Sequence, residues 1–117
     1  MELTKQQKKA LCKDIAELTQ ELENGELQHL TEQLAASGVH ANKLFYYCQG
    51  DDMEIGLVLG KDGLIYYFEH SEEYDDESPE EEVEDKFEVR KVSMAELSKD
   101  KKMYARGVVA LEMAAAE

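Results

Sequence analysis

EIGLVLGKDGLIYYFEH, residues 54–70, decides the fold. Two runs rich in aliphatic and aromatic residues, Glu54–Leu59 and Leu64–His70, flank GKDG. Such runs bounded by turn residues read as strands. Asp62-Gly63 suits a two-residue hairpin turn with positive φ at both positions, so the strands are predicted as antiparallel neighbours. Gly56, Gly60 and Gly63 match neither the GxGxxG nor the GxxxxGK[ST] spacing of phosphate-binding loops, and the turn explains two of the three.

Outward from the hairpin, Leu44–Cys48 (LFYYC) reads as a preceding strand joined through QGDD, residues 49–52. Phe87–Val92 (FEVRKV) suits an edge strand whose charges discourage further pairing. Helical spacing governs both ends of the chain. Leu11, Ile15, Leu18 and Leu22 step by four, three and four, which predicts a helix over 4–23. Asn24-Gly25 stops it, since either residue tolerates a left-handed cap. Leu27, Leu30 and Leu34 predict a second helix over 26–36, ended by Ser37-Gly38. Ser93-x-x-Glu96 is a capping box opening a C-terminal helix over 94–114. Asp100 is placed to restart that helix after a bend, and Gly107 weakens it by about 1 kcal/mol relative to Ala.

The resulting order is an α+β domain spanning 1–117. It has an N-terminal helical hairpin (4–36), an antiparallel sheet of three to four strands (44–92) and a C-terminal helix, with the helices on one face of the sheet. A long acidic loop, 71–85, joins the last two strands. A connection of that length with no structure of its own is uncommon in a compact domain and points to function or disorder.

The loop contains EEYDDESPEEEVED, residues 72–85, with ten carboxylates and no positive charge. The chain as a whole carries 27 acids against 13 Lys and Arg, a net charge of −14. Residues 69–85 hold eleven of those acids, and without them the net charge is only −3. Such a field repels nucleic acid and anionic membrane and attracts basic proteins. Asp51 and Asp52 flank it in the preceding connection.

Nothing in the sequence marks an enzyme. A working carboxylate pair needs one partner in an apolar pocket; Glu54 and Glu69, at strand ends, are the best placed for that. His29, His40 and His70 are scattered and read as structural. The acids lack the alternating pattern of a calcium-binding loop, so no metal or other cofactor is expected. Cys12 and Cys48 have no redox or metal spacing and read as two buried, reduced thiols. Lys5, Lys8, Lys9 and Lys13 read as a solvated helix face that could also soften the loop's repulsion. MELTKQQKK has no apolar signal region, and the apolar runs are too short to span a bilayer, so a soluble, cytoplasmic setting is expected. Tyr46-Tyr47 and Tyr66-Tyr67 each place one ring on either face of the sheet. A ring left exposed beside the acids has the composition of a protein-binding patch.

In its small size, acidity, lack of an export signal and lack of a catalytic motif, the chain resembles the immunity proteins of bacterial toxin systems, those paired with contact-dependent growth inhibition toxins or nuclease colicins. The resemblance spans the whole chain and is compositional. It implies a non-enzymatic inhibitor that binds one basic toxin, a nuclease domain, and neither nucleic acid nor membrane. The residues expected to meet the partner are Asp51, Asp52, Glu72, Glu73, Tyr74, Asp75, Asp76, Glu77, Glu80, Glu81 and Glu82. The alternative is an acidic adaptor or chaperone for a basic nucleic-acid-binding protein, using the same surface.

Overall fold

The computed structural model describes residues 3–74 and 83–116. Its elements are α1 (Lys5–Glu23), α2 (Gln28–Ala36), β1 (Ala41–Gln49), β2 (Met53–Gly60), β3 (Ile65–Tyr74), β4 (Val83–Val92), α3 (Met94–Leu97) and α4 (Lys101–Ala115). The protein is α+β. Its strands form one antiparallel sheet in the order β1-β2-β3-β4.

The central hairpin is present, but its loop is one residue longer than expected. The Gly63 N–H donates to the Gly60 carbonyl at 3.0 Å, and the Gly60 N–H to the Leu64 carbonyl at 2.8 Å. Gly63 has φ +84°. A three-residue loop closed by a left-handed glycine follows. The Asp62 carboxylate secures it, accepting from the Leu64 N–H at 3.0 Å and from the Tyr66 hydroxyl at 2.7 Å. This shifts the register by one, so Leu59 faces Ile65 and Glu54 faces His70.

Helices cover both faces of the sheet, not one. Alternate strand residues enter two separate cores. Phe45, Leu57, Leu59, Ile65 and Val92 pack with Leu97, Val109 and Ala110 on the α4 side. Leu44, Val58, Tyr66 and Phe68 pack with Leu30 and Leu34 on the α2 side. A chain this short has three substantial helices, and two apolar sheet faces cannot both be hidden if all of them lie together. α1 serves both cores, giving Ile15 to the first and Leu22 to the second.

Local signals explain the ends of the helices. Thr4 and Gln7 form a capping box at α1. Gly25 and Gly38, at φ +88° and +83°, take the left-handed positions after α1 and α2. After α2 the Val39 N–H returns to Leu34 and the Gly38 N–H to Ala35, and Val39 packs with Leu34 in the core. The expected C-terminal helix is broken: Ser93 caps α3 and Asp100 caps α4, accepting from the Lys102 and Met103 N–H groups. Gly107 lies buried under the turn, where an added Cβ would come within 3.1 Å of Leu97. Its helix-weakening effect is thus set against close packing of α4 on α3.

β1 carries two irregularities, one of them between Leu44 and Tyr46. Its polar groups there are met from the helices. The Leu44 N–H donates to Thr19 Oγ1 at 3.1 Å, and Arg106 donates to the Phe45 carbonyl at 3.0 Å while pairing with Asp14 at 2.6 Å. Lys8 pairs with Glu112 of α4 at 3.6 Å, not with the acidic segment. Among the described residues, no helix is long and apolar enough to cross a membrane.

Candidate functional site

Seven residues of the expected loop 71–85 are strand. Ser71–Tyr74 and Val83–Asp85 continue the β3–β4 ladder, down to Tyr74 opposite Val83. β2 begins at Met53, opposite Ser71, so Glu72, Glu73 and Tyr74 pair with β4 alone. The hairpin therefore runs on about 10 Å beyond the sheet, at roughly 3.4 Å per residue. Acidic residues did not prevent a strand here because the flanking Tyr66–Phe68 and Phe87–Val92 segments had already set the register.

That register opposes like with like. Glu69 faces Glu88, Glu72 faces Asp85 and Glu73 faces Glu84. Like charges directly opposite each other destabilise a strand pair. Asp51 and Asp52 occupy the β1–β2 turn, closed by the Gly50 N–H on the Met53 carbonyl at 2.7 Å. Since Met53 faces Ser71, that turn lies at the same end of the sheet as the acidic hairpin. Of the expected partner-binding residues, then, Asp51, Asp52, Glu72, Glu73 and Tyr74 share one end. Asp75, Asp76, Glu77, Glu80, Glu81 and Glu82 lie outside the described residues.

A second cluster escaped the sequence reading. Glu54, buried on the α2 side, accepts hydrogen bonds from three elements at once. His29 Nε2 of α2 lies 3.0 and 3.1 Å from its two oxygens, His70 Nδ1 of β3 lies 3.1 Å away, and the Tyr47 hydroxyl of β1 donates to it. Burial pushes the Glu54 carboxyl up, but the bonds from Tyr47, His29 and His70 outweigh it, and the net shift is downward. Burial and the same carboxylate push the Tyr47 phenol up, which keeps it a proton donor. An ionised Glu54 only accepts, so it selects the Nε2–H form of His29 and the Nδ1–H form of His70.

The chemistry of this cluster is that of a clasp. A carboxylate held below its ordinary range and engaged by three donors is a poor general base. The depression beside it, lined by Asp51, Asp52 and His70 among others, holds about 80 Å³. That is well below the few hundred Å³ of a small-molecule site. No group of three potential metal ligands among the described residues is arranged to hold an ion. Neither cysteine is disulfide-bonded, but Cys48 is exposed and Cys12 half-buried, not two buried thiols. Cys48 faces Ile55 on the α4 side of the sheet, past the reach of the core.

No protein-family model, no curated protein and no solved structure matches the chain.

Proposed function

We propose that the chain binds and neutralises a basic toxin of the nuclease class, using the acidic end of the β3–β4 hairpin with Asp51 and Asp52 beside it. The observation that supports this reading is the ladder of opposed acids, Glu69 with Glu88, Glu72 with Asp85 and Glu73 with Glu84. Glu69 set against Glu88 costs the free protein up to about 1 kcal/mol. A cationic surface laid over them would reverse the sign of that term. The same field, on a chain of net charge −14, would steer a basic partner and raise its association rate by about 10–10³-fold at low salt. The carboxylates would stand where the toxin's active site expects nucleic-acid phosphates.

The test uses the product of the gene immediately upstream in the source genome, purified and assayed as a nuclease. The full chain is expected to block its activity and to rescue growth of cells expressing it. Reversing Glu72, Glu73, Glu84 and Asp85 to Lys should lower the association rate at least tenfold and abolish rescue. An unchanged rate and affinity would sink the assignment of the surface. Tight binding with undiminished nuclease activity would replace inhibition by the adaptor reading.

A further inference from the structure

α3 and α4 cover only part of the sheet face on their side. Phe45, Leu57, Leu59, Ile65 and Val92 are hidden beneath them. Further toward the acidic end, the same face carries Tyr46, Cys48, Met53, Ile55 and Tyr67, by the alternation of the paired strands. Met53 is 45 % exposed, Cys48 is exposed, and Tyr46, Ile55 and Tyr67 are half-buried. Where the helices end, a groove of about 420 Å³ opens between Tyr46, Tyr67 and Arg90 on the sheet and Met103 on α4 with its cap Asp100.

The face shows how it treats a cation. The Arg90 guanidinium lies over the Tyr67 ring, 5.3 Å from its centroid, and donates to Glu96 at 3.0 Å. One step further along the same face stand Glu69 and Glu88, directly opposite each other. Among the described residues, no Lys, Arg or His makes an ion pair with either. An aromatic and aliphatic floor next to two acids lacking such a partner has the composition of an interface centre with its charged rim.

We propose that this open half of the sheet face is a docking surface for an extended segment of a basic protein. A Lys or Arg of that segment sits between Glu69 and Glu88, and its apolar neighbours lie on Met53, Ile55 and Tyr46. The assignment rests on the reading of the partner as a basic protein, and it moves the centre of contact from the hairpin's end onto the sheet. It supplies what acids alone lack: an apolar anchor, which holds a complex once charge has steered it together.

The probe is a blocked six-residue peptide of alternating Lys and Leu, titrated into the full chain at low salt and followed by amide NMR. A Glu-Leu peptide serves as the control. Shifts at Tyr46, Ile55, Tyr67, Glu69 and Glu88 are expected, with about threefold or greater weakening in the E69Q/E88Q double variant, given the modest worth of exposed charge pairs. Ile55→Ser should weaken binding as well, with the remaining amide spectrum unchanged. Shifts confined to Glu72–Tyr74 and Val83–Asp85, with the double variant binding as before, would overturn this inference and leave the hairpin reading standing. No response anywhere in the chain at low salt would overturn both.

Discussion

The two sides of the sheet treat their polar groups in opposite ways. On the β1 side three awkward groups are answered, the Leu44 N–H, the Phe45 carbonyl and the Glu54 carboxylate. The irregularity at Phe45 would strand a backbone N–H and a carbonyl, and Thr19 and Arg106 reach in from the helices to meet them. Glu54 is a buried acid, and three donors from three elements surround it. On the β3–β4 side acids face acids. The same chain thus assembles compensation where the fold must be held, and where the sheet meets solvent it sets Glu69 against Glu88 with no ion-pair partner for either among the described residues. On the proposed function, that contrast would separate a region kept for stability from one kept for binding, since surfaces that recognise a partner commonly do so at some cost to the free protein.

The largest expected effect comes from breaking the compensated side. Thr19 is 5 % exposed, and its hydroxyl is the acceptor for the Leu44 N–H. Thr19→Val keeps the shape and leaves that N–H without an acceptor, which costs about 2 kcal/mol. Urea unfolding should show the loss as a lower midpoint. Hydrogen exchange of the outer β3–β4 amides should not change, because nothing on that side depends on Thr19.

Glu54 sharpens the contrast through pH. Its folded-state carboxyl lies below the ordinary glutamate range, so it binds a proton less readily folded than unfolded. The stability it contributes is therefore present above the ordinary range and is lost as pH falls through the lower folded value. Glu54→Gln removes the charge and keeps the shape, weakening charge-assisted hydrogen bonds by about 1 kcal/mol at neutral pH. The gap between wild type and variant should close in acid, as followed by urea midpoints across a pH series. A gap that stays constant would mean that the Glu54 carboxyl titrates no lower in the folded protein than in the unfolded chain.

Much of this architecture was legible in the sequence because it rests on local rules. Leu11, Ile15, Leu18 and Leu22 announce α1, Ser93 and Asp100 announce the two C-terminal caps, and the run from Glu54 to His70 announces the hairpin. What was missed turns on one residue of turn length. A two-residue turn at Asp62-Gly63 would set Glu54 opposite Ser71 and turn His70 to the other face. The three-residue loop sets Glu54 opposite His70, and a one-residue slip sends every side chain to the opposite face. The clasp was hidden for that reason, although Glu54 had been singled out as a carboxylate at a strand end. His29 joins it only through the packing of α2, which no local pattern encodes. The acidic strands were read as loop because Glu and Asp are poor strand formers, a weak preference that pairing with an established neighbour overrides.

The smallest effect tests the uncompensated side, and its sign matters more than its size. Glu88 is exposed and faces Glu69. Glu88→Gln relieves a like-charge cross-strand pair and should stabilise the free protein by about 0.2–1 kcal/mol. Salt should erase much of the gain, because it screens exposed charges in the wild type to begin with. The measurement is a urea midpoint for both proteins at low and at high ionic strength. A substitution that stabilises the molecule while weakening its hold on a cationic peptide would show that the acid is retained for recognition. A loss of stability would instead reveal that Glu88 makes a favourable contact in the free protein, and the contrast between the two sides of the sheet would then fail at its most exposed pair.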